Sequence, residues 1–101
     1  MSVLITIKVG GDVTAFRRAV TARAEEFAKF GSASQAVGAI HHRFGIGDGY
    51  VLVVDEWETA EQFEKFFSNP ELQTFIGEIG GDTTAAPEIT VTEAIESADQ
   101  F

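Results

Sequence analysis

The chain contains no cysteine among its 101 residues. That excludes disulfides and thiolate chemistry and points to a reducing cytoplasm. No apolar run approaches the roughly 18 residues needed to span a bilayer. The opening MSVLITIKV lacks a basic leader and a small-residue cleavage site, so it reads as a strand rather than a signal peptide. Positive charge is also scarce. Seven lysines and arginines stand against sixteen aspartates and glutamates, a formal charge of −9. Such a surface repels phosphate backbones and anionic lipid, so neither nucleic acid nor a membrane is expected as a partner. Solubility through net charge accounts for the acidity. Histidine is nearly absent as well: His41 and His42, side by side in AIHHRF, are the only two.

What is present is apolar bulk. Hydrophobic residues make up 45% of the chain and nine are phenylalanine, enough for one packed domain over residues 1–101. A domain this small is marginal alone, and association would help it.

In Val3–Val9, Val3, Ile5, Ile7 and Val9 alternate with Leu4, Thr6 and Lys8, the period of a strand with one buried face. Gly10-Gly11 ends it, and Asp12 is placed to cap a helix. From Val13 to about Lys29, Val13, Phe16, Val20, Ala24 and Phe27 recur at helical spacing. Gly31-Ser32-Ala33-Ser34 reads as a break. A second strand is expected over about Ala36 to Phe44, then a turn at GIGDG (Gly45–Gly49) and a third strand, YVLVVDEW (Tyr50–Trp57). Its continuous apolar middle marks an interior strand. Thr59 and Gln62 form a capping-box pattern before a helix carrying Phe63, Phe66 and Phe67. Pro70 suits the first turn of a short helix through Leu72, Phe75, Ile76 and Ile79. EITVTEAI (Glu88–Ile95) alternates as a last strand, and the tail from about residue 96 is expected to be loosely held.

Strand, helix, strand, strand, helix, strand is the ferredoxin-like βαββαβ order. It predicts an α+β fold: a four-stranded antiparallel sheet with its helices on one face. Apolar residues fall on both sheet faces, with Ile40, Phe44, Leu52 and Val54 assigned to one and Val37, Val51 and Val53 to the other. Helices cover only one, so a homodimer through the bare face is expected.

The stretch VVDEWETAEQFEKFF carries a resemblance. A strand ending in an acidic residue, one residue, Trp, then Glu-Thr and an apolar helix resembles the dimeric α/β-barrel superfamily, nearest its antibiotic-biosynthesis-monooxygenase branch. The resemblance implies two ferredoxin-like subunits packed sheet to sheet, each with a pocket between sheet and helices. The implied activities are cofactor-independent oxygenation of aromatic polyketides, haem degradation, and small-molecule isomerisation or cyclisation. In the haem-degrading branch the Trp is followed ten positions later by an iron-ligating His. Here that position is Phe67, which cannot bind iron, and the first strand holds no Asn. Haem degradation is therefore disfavoured.

If GIGDG is a simple five-residue loop, Phe44 faces Tyr50, His42 faces Leu52, His41 faces Val53 and Ala39 faces Asp55. His41, Arg43, Val53, Asp55 and Trp57 then share one face. The resemblance turns Trp57 toward the pocket, which places His41 and Asp55 there and His42 toward the dimer partner. A single bulge would exchange these places. A histidine beside a carboxylate and an indole can deprotonate a phenol, and the phenolate can react with dioxygen without metal or flavin. Trp57 would hold the oxyanion. The sites named are thus His41, His42, Asp55 and Trp57, with no cofactor and an apolar aromatic substrate. The alternative is a ligand-binding or dimerisation module in which the histidines are ordinary strand residues. Adjacent strand histidines point to opposite faces, so they do not chelate one metal, and no further ligand has suitable spacing. GIGDG lies between strands, and Asp12 would repel a phosphate beside Gly10-Gly11, so neither glycine stretch is a phosphate site.

Overall fold

A computed structural model describes residues 1–101. The elements run β1 (Val3–Gly10), α1 (Val13–Ala22), α2 (Ala24–Ala36), β2 (Ala39–Ile46), β3 (Tyr50–Trp57), α3 (Ala60–Phe67), α4 (Pro70–Glu78) and β4 (Glu88–Glu93). The sheet order is β2-β3-β1-β4, with every neighbouring pair antiparallel. This is the expected ferredoxin-like α+β fold.

The local signals for the caps work as chemistry dictates. Asp12 accepts from the Ala15 N–H at 3.0 Å, the Thr59 hydroxyl accepts from the Gln62 N–H at 3.2 Å, and Asn69 accepts from the Glu71 N–H at 2.9 Å, ahead of Pro70. Each satisfies a donor that the first helical turn leaves free.

Two expectations about the first helical region fail. The long stripe is two helices, broken at Arg23, whose φ of −119° and ψ of 33° leave the helical region. Arg23 bonds Glu26 on one side at 2.7 Å and Glu78 of α4 on the other at 2.9 Å, while its guanidinium lies 4.7 Å from the Phe75 ring centre. The bend thus lets one side chain tie the α1–α2 junction to α4. Val20 and Ala24, assigned to the stripe, are exposed, and α1 buries Phe16 and Ala19 instead. Nor do Gly31–Ser34 interrupt anything. They continue α2 to Ala36, with Ser34 buried and its hydroxyl bonded back to the Gly31 carbonyl at 2.7 Å. Burial overrides the weak helix propensity of these residues. The helix ends at Ala36 instead, and Gly38, whose φ of 120° suits glycine, turns the chain into β2.

Both β1 and β3 send alternate residues under the helices. Val3 pairs with Trp57, Ile5 with Asp55 and Ile7 with Val53. Ile5, Ile7, Val53 and Trp57 form one buried cluster with Phe63 of α3. Phe16 and Ala19 of α1 form a second with Phe75 and Ile79, against Phe27, Phe30 and Val51. Edge-to-face aromatic contacts stitch the second cluster, with Phe27 5.1 Å from Phe75 and 6.0 Å from Phe16; each is worth about 0.5–1.5 kcal/mol beyond area burial. Only 12 of 101 residues are buried, so the two clusters make a thin core with space between them. β4 stops at Glu93, two residues short of the expected end, and buries none of its side chains.

Candidate active site

The decisive local feature is the β2–β3 hairpin. Its turn is tighter than a five-residue loop. Ile46 pairs with Val51, and the Gly47 N–H donates to the Tyr50 carbonyl at 2.9 Å. Gly49, at φ 77°, completes the turn. From there Phe44 faces Val53, Arg43 faces Val54, His42 faces Asp55 and His41 faces Glu56, with a bulge between Ala39 and His41. The expected register is therefore wrong, and the two histidines exchange places. His42, not His41, stands on the face of Val53, Asp55 and Trp57. Phe44 moves to that face too, packing 5.0 Å from Phe16 and 5.9 Å from Phe27. His41 and Arg43 share the outer face with Val54 and Glu56.

His42 then meets Asp55. Its Nδ1 lies 2.7 Å from Asp55 Oδ1, while Trp57 Nε1 donates to Asp55 Oδ2 at 3.0 Å. Asp55 is 7% exposed and Trp57 2%, so both carboxylate oxygens are spoken for inside the protein. With Asp55 accepting, a neutral His42 carries its proton on Nδ1 and presents Nε2 as the lone-pair nitrogen, which has no partner in the chain. The His42 side chain is 41% exposed. Trp57 does not take the role of oxyanion donor, since its N–H is used on Asp55. It holds the carboxylate that holds the histidine.

These three side chains lie along one wall of a cavity of about 140 Å³ between the sheet and the helices. Eight phenylalanines dominate the bulk of the remaining wall, among them Phe16, Phe27 and Phe44 toward one end and Phe63, Phe66 and Phe67 toward the other. Phe67, at the position of the haem ligand, stacks on Phe63 at 5.4 Å and offers iron nothing. The other polar residues on the wall are engaged as well. Asp12 caps α1, and Ser34 donates to Gly31. No buried side-chain polar atom lacks a partner. No three His, Asp or Glu side chains come together as a metal site would require.

The sequence matches no family model and no curated protein. Solved structures do resemble the fold. The monooxygenase from the gene ActVA-Orf6 of Streptomyces coelicolor, in complex with nanaomycin D, aligns with a TM-score of 0.68 at 12% identity, covering 99% of this chain and 93% of that one. SnoaB, a cofactor-independent oxygenase from Streptomyces nogalater, gives 0.64 at 11% identity over 98% of both chains. A further antibiotic biosynthesis monooxygenase gives 0.63 at 8% identity, over 93% of this chain and 99% of the other. The chain has the antibiotic-biosynthesis-monooxygenase fold. At these identities the likeness extends to the path of the backbone, not to the reaction. Within that fold, the pocket between sheet and helices implied by VVDEWETAEQFEKFF is present. Sequence reasoning picked Asp55 and Trp57 for it and missed Phe44 and the pairing of His42. The available signal was Asp48-Gly49, a hairpin-turn dipeptide that favours the shorter loop.

Proposed function

We propose that the protein is a cofactor-independent monooxygenase for an apolar aromatic molecule bearing a phenolic hydroxyl, with His42 as its base. The observation that carries this is the 2.7 Å contact between His42 Nδ1 and a buried Asp55 at the side of an aromatic cavity. With Nδ1 committed to the carboxylate, Nε2 faces the ligand as acceptor, and the imidazolium formed on proton transfer is stabilised by Asp55. Trp57 is a positioning residue that acts through Asp55. Substrate selection follows from the same inventory. An almost wholly apolar wall with one free acceptor favours a flat, uncharged molecule that donates one hydrogen bond, and a protein of charge −9 disfavours anions.

The reaction balances without a cofactor. A phenol ionised by His42 gives an electron-rich ring carbon, which passes electrons to dioxygen and forms a carbon hydroperoxide. Loss of water from that carbon leaves a quinone. One oxygen atom enters the product and the other leaves as water, and the phenol is the sole reductant. The chain's part is to remove the proton and exclude bulk water.

Oxygen consumption with an anthrone or hydroquinone panel tests this. Uptake by the wild type that collapses in His42→Ala and persists in His41→Ala is the expected result. Absence of uptake across the panel, with binding retained, would instead make the protein a small-ligand carrier. That second reading is favoured by the paucity of titratable groups in the cavity.

The outer sheet face supports a homodimer. Leu4 and Val54 are 46% and 47% exposed there, beside half-buried Leu52 and Tyr50, and nothing in the monomer covers them. The face is more mixed than expected, because His41, Arg43, Lys8 and Glu56 share it and Phe44 does not. A second copy supplies the missing cover for a thin core. No helix is long and apolar enough to cross a membrane, and a chain without thiols suits the cytoplasm, where we place it.

A further inference from the structure

The α2 wall of the cavity is uneven. Phe27 and Phe30 fill one part of it, Phe30 lying 5.0 Å from Phe75. Gly31 and Ser34, also on the cavity wall, contribute almost no side chain. The Ser34 hydroxyl is folded back onto its own helix, and a Cβ built on Gly31 would meet no atom within 4 Å. The space beside Gly31 is therefore open to a side chain, and the glycine leaves it unfilled.

Its position relative to His42 follows from chain geometry. Val37-Gly38 turns the chain back, so α2 and β2 run in opposite directions. Phe27 packs 5.9 Å from Phe44. One turn further along α2, about 6 Å, stands Gly31. Two residues back along β2, about 6.6 Å, stands His42. The bare part of α2 is thus across the cavity from the imidazole.

We infer that Gly31 is a specificity-determining residue, whose missing side chain admits a fused ring system to the bay beside His42 and sets the width it accepts. This rests on the reading of His42 as the group that binds the ligand's hydroxyl. A glycine inside a helix weakens that helix, so replacing it by a helix-favouring residue should raise rather than lower the melting temperature. A loss of ligand binding would then be separable from a loss of fold.

The experiment compares phenol with 2-hydroxyanthraquinone, one ring against three with one hydroxyl each, by calorimetric titration of wild type, Gly31→Ala, Gly31→Leu and His42→Ala. Gly31→Leu should weaken the tricyclic probe by roughly tenfold or more and phenol by less than about threefold, with Gly31→Ala between wild type and Gly31→Leu. If Gly31→Leu lowers the melting temperature, Gly31→Met carries similar bulk without branching and the same outcome is required of it. Equal affinities across the Gly31 series, or equal losses for both probes, would overturn the assignment. Discrimination by Gly31→Leu that is untouched by His42→Ala would keep the size limit and overturn the role of His42. A wild type that binds neither probe would overturn both.

Discussion

Val53 and Val54 are identical side chains in adjacent positions of β3, yet Val53 is 8% exposed and Val54 47%. The same contrast divides the histidines, His42 paired with a buried carboxylate and His41 opposite Glu56 on the outer face. Side-chain type therefore decides little here. The face of the sheet decides, and a strand's face is fixed by register. On the helical side that register assembles a carboxylate, an indole and an imidazole beside an aromatic cavity. On the other it spreads Leu4, Leu52 and Val54 among charged residues, a surface suited to another protein surface rather than to a small ligand.

The largest expected effect tests the buried side. Trp57→Ala removes a side chain that packs against Phe63 and Phe66 at 5.8 and 5.6 Å and donates to Asp55. It should cost about 3–5 kcal/mol in urea unfolding. Leu4→Ala on the outer face should cost under about 1 kcal/mol at concentrations where the chain is monomeric. Similar losses from the two would erase the distinction between the faces.

Val54→Asp addresses the outer face alone. It should weaken association by about 2 kcal/mol or more, through burial of a carboxylate in the dimer, and turn a dimer into an 11 kDa species by light scattering. A wild type that is already monomeric at micromolar concentration would remove the dimer from the account.

Asp55→Ala should destabilise by about 1–3 kcal/mol, because the buried Trp57 N–H loses its acceptor. Asp55→Asn retains an acceptor oxygen and should recover part of that loss. Oxygen uptake should nevertheless stay low, since a neutral amide stabilises imidazolium poorly. Recovery of stability and activity together would deny Asp55 its electrostatic role.

The smallest effect is in acid. The Arg23 guanidinium holds the Glu26 carboxyl below its ordinary range, chiefly by hydrogen bonding. The Thr84 hydroxyl, and then its N–H, do the same for Asp82. A carboxyl with a lowered folded-state pKa stabilises above its unfolded value near about 4, and that contribution fades as pH falls through the lower folded value. The melting temperature should therefore fall on acidification below about pH 4, and Glu26→Gln with Asp82→Asn should flatten the decline. Both groups are exposed, so the change will be slight.

How much of this the sequence disclosed depends on how local each determinant is. Alternation in VLITIKV, the caps at Asp12 and Thr59, the first-turn place of Pro70, and the order of the strands are set within a few residues, and each appears in the structure where it was read. The break at Arg23 was hidden, because the partners that accompany it include Glu78, on a helix distant in sequence. Gly31–Ser34 misled for the converse reason: poor helix formers stay helical when tertiary packing buries Ser34. In the site, Asp55 and Trp57 were legible because β3 is regular. His42 was not, because the shorter turn shifts β2 against β3 by an odd number of residues and moves His41 to Ile46 to the opposite face, while the irregularity near Ile40 returns Ala39 to the face where it was expected.

The pairing of His42, rather than His41, with the cavity is the point on which the rest depends. Long-range proton–nitrogen NMR of the two imidazoles, with and without 2-naphthol, reads it directly. The account predicts that His42 carries its proton on Nδ1 and that its Nε2 resonance alone shifts as ligand is added, with His41 unmoved. A shift confined to His41, or a ligand-bound protein in which neither imidazole responds, would contradict it.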